Sequence, residues 1–155
     1  MATNTRDIAA TPDQVWDVLS DGWLYPLWVV GATRMRDVDD TWPAAGSALH
    51  HSVGAWPLVV DDETRVLECR PGKELRLRAK AWPGGEAEVR IELEAHGERT
   101  RVAIHEKSVS GPGSLLPEPL EAPLMKLRNA ETLNRLAHVV EGRAARTLTS
   151  SHEHP

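Results

Sequence analysis

Glu106 is an acidic residue in phase with apolar neighbours along a predicted strand. Val102 and Ile104 alternate with Arg101 and His105, and Glu106 continues the series of Val102 and Ile104. A carboxyl group on an inward face binds a ligand hydroxyl or amine, or it transfers a proton as an acid or base. The alternative is that the register changes near the strand end, or that the sheet edge lets Glu106 reach solvent.

His51 is the second candidate for acid–base chemistry. It is in phase with Leu49 and Val53, which predicts an inward His51 and an outward His50. An inward imidazole acts as a general base or anchors a ligand, unless it only satisfies a backbone carbonyl. His50 and His51 point to opposite faces and cannot share one metal ion, and the histidines of residues 152–154 lie in a predicted tail. No metal site is therefore expected.

Other catalytic signatures are missing from the sequence. It contains no nucleophile elbow, no P-loop and no dinucleotide fingerprint, and Cys69, Ser108 and Ser110 have no base nearby in sequence. We therefore expect no cofactor and no covalent catalysis.

Six tryptophans and no phenylalanine make the aromatic composition unusual. Tryptophan rings offer large apolar walls with one N–H for a polar ligand atom, although packing in the core or a GC-rich genome explains them as well. Trp28 begins a segment expected to close one end of the fold. Trp56 is expected to face inward if it is in phase with Val60.

The alternating residues 74–108 predict three antiparallel strands with one apolar and one charged face. A three-residue turn at 83–85 would place Ala79 opposite Val89. A two-residue turn at Gly97-Glu98 would place Val89 opposite Glu106 and Ile91 opposite Ile104. Small side chains in the row Ala79, Val89, Glu106 would leave space there.

Helices are predicted at both ends of the chain. Thr11 and Gln14 form a capping box before a first short helix, and a second follows at 23–27. A long helix is expected at 121–141, ended by Gly142, with residues 143–155 disordered. Its apolar stripe is expected to cover the sheet and comprises Leu120, Leu124, Leu127, Ala130, Leu133, Leu136, Ala137 and Val140.

Size and charge limit the classes of function. The 155 residues indicate one domain, placed at residues 1–142, and the net charge of -5 argues against nucleic-acid binding. The single cysteine and the lack of a signal peptide or an 18-residue apolar run predict a cytoplasmic protein without integral membrane association. A monomer or a homodimer is expected.

Four segments of the sequence carry a family resemblance. They are Ala-x-Pro-x-x-Val-Trp at residues 10–16, Tyr-Pro-x-Trp at 25–28, Thr-Arg-Val at 100–102 and the segment at 126–129. Over residues 3–142 the chain resembles the START-like helix-grip superfamily, specifically the SRPBCC branch of polyketide cyclase/dehydrase and lipid-transport proteins. The resemblance implies an α+β fold in which a curved antiparallel sheet of about seven strands wraps around the C-terminal helix. Two short helices follow the first strand, and a deep apolar cavity lies between sheet and helix.

Two functions follow from this reading. The first is binding of a hydrophobic small molecule, such as a polyketide, lipid or aromatic metabolite, in the cavity. The alternative is a cofactor-free polyketide cyclase, aromatase or dehydratase in which His51 or Glu106 moves protons. A chaperone-activator-like role is disfavoured by the charged outer face. The expected ligand-binding residues are Trp28, His51, Trp56, Ala79, Val89, Ile104, Glu106, Leu120, Leu124 and Leu127.

Overall fold

The computed structural model describes residues 2–53, 57, 60–80, 85–111, 115 and 117–152. Within these residues the chain forms seven strands, two short helices and one long helix. The strands are β1 (Ala2–Ile8), β2 (Ala32–Val38), β3 (Ala48–Val53), β4 (Val60–Arg70), β5 (Glu74–Lys80), β6 (Glu86–His96) and β7 (Arg99–Ser110). The helices are α1 (Pro12–Leu19), α2 (Tyr25–Trp28) and α3 (Glu118–His152), and a 3₁₀ turn, Gly22–Leu24, precedes α2.

All seven strands belong to one antiparallel sheet in the order β1-β7-β6-β5-β4-β3-β2. The N-terminal strand therefore pairs with the last strand of the chain, and the remaining strands pair with their sequence neighbours. This arrangement confirms the predicted α+β helix-grip architecture.

The first helix begins where the sequence predicts. The Thr11 side chain accepts from the backbone N–H of Gln14, and the Gln14 side chain accepts from the backbone N–H of Thr11. These two bonds satisfy N–H groups that a helix start otherwise leaves unpaired. Val15, Val18 and Leu19 are buried in the core, so α1 is anchored beside the sheet.

The β6–β7 hairpin has the predicted register. Leu93 pairs with Val102, and Val89 pairs with Glu106. The two-residue turn between the strands contains Gly97 at a φ of +63°, a conformation that glycine adopts without steric cost. The apolar alternation and the short turn thus determine which residue of β7 stands beside Val89.

The β5–β6 hairpin differs from the prediction by two residues. Ala79 pairs with Ala87, and Leu77 pairs with Val89, so the predicted row Ala79, Val89, Glu106 is wrong. Lys80 pairs with Glu86, which makes the connection five residues long instead of three. A shift of two residues preserves the inward and outward faces because the side-chain period of a strand is two.

The long helix α3 lies along the edge strand β1. Asn4 donates a hydrogen bond to the Lys126 carbonyl, and Arg6 donates one to the side chain of Asn134. Leu133, Leu136, Ala137 and Val140 in the middle of the helix are buried in the core. This part of the helix behaves as the apolar stripe predicts.

The N-terminal half of α3 corrects the predicted stripe. Leu120, Leu124 and Leu127 are 62 %, 69 % and 72 % exposed, and Ala130 is exposed as well, so these four residues do not cover the sheet. The predicted stripe advances by three residues from Leu127 to Ala130 and again to Leu133. Each such step falls about 60° short of a full helical turn, and the two steps place Leu127 about 120° away from Leu133.

The end of α3 also differs from the prediction. The helix continues past Gly142 to His152, so residues 143–152 are helical and not an irregular tail. Residues of high helix propensity surround the glycine. Farther along, the hydroxyl groups of Thr147 and Ser150 donate to backbone carbonyls one turn earlier. Residues 145–151 are all exposed. The single domain placed at residues 1–142 stays a prediction.

Candidate functional site

A cavity of about 630 Å³ lies between the sheet and α3. Ligand pockets in proteins typically measure about 300–1,000 Å³, so this volume suits a small organic molecule. Apolar residues dominate its wall, with a small set of polar groups among them. The lining residues are Tyr25, Trp28, Val29, Val30, Gly31, Ala32, His51, Thr64, Leu77, Ala79, Lys80, Ala87, Val89, Ile91, Ile104, Glu106, Arg128, Asn129 and Thr132.

Glu106 is the buried acidic group of the wall, as its phase on β7 predicts. Only 4 % of the residue is exposed. Its carboxylate accepts a hydrogen bond from the guanidinium of Arg128 on α3 and forms an ion pair with it. The Arg128 side chain is 38 % exposed, so the pair connects the buried wall to the solvent side of the cavity.

Three polar side chains from three elements form a buried hydrogen-bonded chain. The His51 Nε2 lies 2.8 Å from the Thr64 hydroxyl oxygen. The Thr64 oxygen lies 3.3 Å from the Tyr25 hydroxyl oxygen. Burial raises the pKa of Tyr25 to about 12, so the phenol keeps its proton at neutral pH.

The Tyr25 ring packs on both neighbouring rings of the cavity. Its centroid is 5.4 Å from that of His51 and 5.3 Å from that of Trp28, and the contact with Trp28 is edge-to-face. Such contacts hold aromatic rings in fixed orientations. The His51 imidazole is therefore positioned by a ring contact as well as by its bond to Thr64.

Burial lowers the pKa of His51 below its ordinary value of 6.5. The positive charges of Arg36 and His50 act in the same direction, whereas the Asp62 carboxylate opposes the shift. The Ser52 backbone also opposes it, from a position near the ring that does not meet hydrogen-bond geometry at Nδ1. Burial is the largest of these effects, because removing an imidazolium from water costs more than removing a neutral imidazole. His51 is consequently neutral at neutral pH.

Three buried nitrogen atoms of cavity residues have no hydrogen-bond partner among the described residues. They are Trp28 Nε1, His51 Nδ1 and Asn129 Nδ2. The residues are only 2 %, 3 % and 5 % exposed, respectively. Buried polar groups are normally paired, so three unpaired groups around one cavity are what a site built for a polar ligand atom would show.

Six of the ten predicted ligand-binding residues line the cavity: Trp28, His51, Ala79, Val89, Ile104 and Glu106. His51 and Glu106 thus border a common cavity. Trp56 lies outside the described residues. The predicted contacts of Leu120, Leu124 and Leu127 are not found, because these side chains are exposed on the other flank of α3. Whether any of these residues binds a ligand stays a prediction.

Sequence reasoning did not single out the other polar residues of the cavity. Thr64 and Tyr25 meet His51 only in the folded chain, so no local pattern predicts their contact. Asn129 and Thr132 are buried polar residues on the inward side of α3. Their spacing of three residues was a usable signal, since it places both near one face of a helix.

Among the described residues, no three His, Cys, Asp or Glu side chains cluster in a way that would hold a metal ion. No helix there has the length and apolarity that crossing a membrane requires.

The sheet, the long helix and the cavity between them define a helix-grip protein with room for a small molecule. The chain belongs to the family described as polyketide cyclase / dehydrase and lipid transport, whose model matches residues 2–141. None of the curated proteins matches the sequence.

Solved structures share the fold at low sequence identity. Protein CV1439 from Chromobacterium violaceum is 18 % identical with a TM-score of 0.67, over 91 % of this chain and 99 % of that one. Ara h 8.0201 is 9 % identical with a TM-score of 0.70, over 90 % and 96 %. The di-domain ARO/CYC StfQ from the steffimycin biosynthetic pathway is 12 % identical with a TM-score of 0.69, over 92 % and 51 %. At these identities the similarity shows the fold alone.

Proposed function

We propose that this protein binds a hydrophobic small molecule, such as a polyketide, a lipid or an aromatic metabolite, in the cavity between the sheet and α3. The observation that carries the proposal is the combination of a ligand-sized apolar cavity with three buried, unpaired nitrogen atoms among its lining residues. An apolar wall with a few polar groups is the usual composition of a small-molecule site.

The apolar wall provides the affinity in this proposal. Leu77, Ile91 and Ile104 are almost completely buried, and they present aliphatic surface from three adjacent strands. Covering apolar ligand surface contributes about 25 cal/mol per Å². The polar groups contribute orientation, because an incorrectly placed ligand leaves them unpaired.

A second candidate is a cofactor-free cyclase, aromatase or dehydratase. It is favoured by one observation, namely that His51 and Glu106 border the same cavity. His51 is the proposed acid–base residue because its lowered pKa keeps it neutral, whereas Glu106 is held in the ion pair with Arg128. Positioned acid–base groups contribute about 10²–10⁴-fold to a rate.

The proposed cellular setting follows from composition. A cytoplasmic location fits the single cysteine, and a net charge of -5 gives no attraction for nucleic acid. We propose a single domain that acts as a monomer or a homodimer.

Isothermal titration calorimetry tests the proposed binding. Protein freed of bound lipid by organic extraction and refolding is titrated with a fatty acid, a flavone and a tetracyclic aromatic polyketide. Ala79→Phe places a ring in the cavity, and Ala103→Phe makes the same change on β7 outside the cavity lining. At least one ligand is expected to bind the wild type and Ala103→Phe, with affinity at least tenfold lower in Ala79→Phe. No binding by any ligand, or equal binding by Ala79→Phe, contradicts the proposal.

The enzymatic candidate has its own test. A poly-β-ketone substrate is incubated with wild type and His51→Gln, and the cyclised products are quantified by liquid chromatography and mass spectrometry. A catalytic His51 predicts a lower kcat in the variant with KM nearly unchanged. Product distributions identical to those formed without protein would exclude catalysis of this reaction.

A further inference from the structure

We infer that the chain Tyr25–Thr64–His51 fixes the imidazole proton on Nδ1, so that the cavity presents N–H donors and selects ligands with carbonyl oxygens. This inference rests on the proposed binding function and specifies the ligand chemistry that the site takes. It concerns a positioning role for Thr64 and Tyr25, which act through His51.

The direction of the hydrogen bonds follows from counting protons. A neutral imidazole carries one proton, and each hydroxyl carries one. If Tyr25 donates to Thr64, then Thr64 donates to the bare Nε2 of His51, and the imidazole proton is on Nδ1. Both hydroxyl protons are then used in hydrogen bonds.

The opposite direction leaves more polar groups unpaired. If Nε2–H of His51 donates to Thr64, then Thr64 donates to the Tyr25 oxygen. The Tyr25 proton has no other acceptor among the described residues, and Nδ1 is a bare acceptor that also has no partner there. The first arrangement leaves one unpaired group and the second leaves two. A third arrangement, in which Thr64 accepts from both neighbours, also leaves two, namely the Thr64 proton and the bare Nδ1. Because unpaired buried groups are costly, the first is favoured.

Trp28 adds a second donor to the same cavity. An indole nitrogen only donates, and Trp28 Nε1 is buried without a partner in the described part of the chain. The Tyr25 ring lies against both Trp28 and His51, so the two donor side chains border one region of the wall. The amide of Asn129 supplies a further N–H. A ketone oxygen has two lone pairs and no proton, so it accepts from two of these donors and brings no proton that needs an acceptor of its own.

A matched set of naphthalenes isolates the oxygen atom. The probes are 2-acetylnaphthalene, 1-(2-naphthyl)ethanol and 2-ethylnaphthalene, which differ in one functional group on the same ring system. Calorimetry is expected to show the ketone binding about five- to tenfold more tightly than the hydrocarbon, with the alcohol between them. Equal affinity for ketone and hydrocarbon would overturn the donor assignment and leave the proposed binding function intact.

The tautomer is measured separately, by ¹⁵N NMR of the His51 ring in protein without ligand. The inference predicts a protonated Nδ1 and an unprotonated Nε2 in the wild type. Thr64→Val removes the chain, and it is expected to mix the tautomers and to lower the ratio of ketone affinity to 2-ethylnaphthalene affinity. Thr64→Ser restores the hydroxyl and is expected to restore both readouts, which separates the role of the bond from any effect on folding.

The two measurements distinguish the possible failures. A proton on Nε2 in the wild type overturns the inferred hydrogen-bond direction whether or not any probe binds. A ketone preference that persists in Thr64→Val overturns the positioning role of Thr64. If none of the naphthalenes binds, the inferred ligand selection falls together with the proposed function, while the NMR result still decides the proton position.

Discussion

Glu106 and Arg128 form an ion pair that connects strand β7 to helix α3 at the cavity. Glu106 is the acidic residue on an apolar strand face, and Arg128 is a partly exposed residue of the helix that lies over it. The pair supplies the charge that a buried carboxylate requires. It also ties the two sides of the cavity together, so its loss should affect stability as well as binding.

Arg128→Met is expected to destabilise the protein by about 1–3 kcal/mol, which lies between the values for exposed and fully buried pairs. The variant leaves the Glu106 carboxylate buried without its cation. Urea unfolding monitored by circular dichroism measures the change in the free energy of unfolding. Adding Glu106→Gln to Arg128→Met should recover part of the loss, because the uncompensated charge is then removed.

The control for this prediction is Arg135→Met. Arg135 forms an exposed ion pair with Glu131 on the same helix, one turn apart. Its loss should cost no more than about 0.5 kcal/mol. Similar losses for the two arginine variants would show that the Glu106–Arg128 pair has no special role.

The buried His51 predicts a pH dependence of stability. The unfolded chain binds a proton on His51 near the ordinary pKa of 6.5, whereas the folded protein binds it only at lower pH. The free energy of unfolding should therefore fall as the pH drops below about 6.5, until the lowered folded pKa is reached. Below that pH this contribution becomes constant.

Chemical unfolding between pH 5 and pH 8 measures this contribution in wild type, His51→Gln and His138→Gln. His138 is exposed on α3 and serves as the matched histidine control. The decrease near pH 6.5 should be smaller in His51→Gln than in the other two proteins. Parallel curves for all three would contradict the assignment to His51.

Two leucines of α3 test the corrected helix face. Leu133 is 1 % exposed and Leu127 is 72 % exposed. Leu133→Ala should lose about 2–5 kcal/mol of stability because it leaves a cavity in the core. Leu127→Ala should change stability by less than about 0.5 kcal/mol, and it should leave the ligand affinity unchanged. A loss of affinity in Leu127→Ala would reinstate the contact predicted from the sequence.

Short-range patterns predicted the parts of the fold that depend on local periodicity and turn length. The β6–β7 register follows from alternation and a two-residue turn with Gly97, so the neighbour of Glu106 could be derived. The β5–β6 register could not, because shifts by two residues preserve both faces and the longer connection does not select between them. In α3, Leu120, Leu124 and Leu127 are spaced by four and three residues, as in a helix. Further steps of three residues nevertheless rotate the stripe, so these leucines do not share the buried face of Leu133.

The cavity wall was more predictable than its polar groups. Strand phase alone identified His51 and Glu106 as inward residues. Their partners come from α2, β4 and α3, and the contacts of Tyr25, Thr64 and Arg128 depend on tertiary packing that no local pattern specifies. The hydrogen-bonded chain is therefore a property of the folded protein.

The most direct test of ligand binding in the cavity uses the tryptophan indole N–H signals in a ¹H–¹⁵N NMR titration with 2-acetylnaphthalene. Trp28 is 2 % exposed and lines the cavity, whereas Trp23 is 57 % exposed on the 3₁₀ turn before α2. Trp→Phe variants assign the two signals. Binding in the cavity predicts that the Trp28 signal moves as ligand is added and that the Trp23 signal stays in place. A Trp28 signal that does not move at saturating ligand, or a change confined to Trp23, would contradict the account.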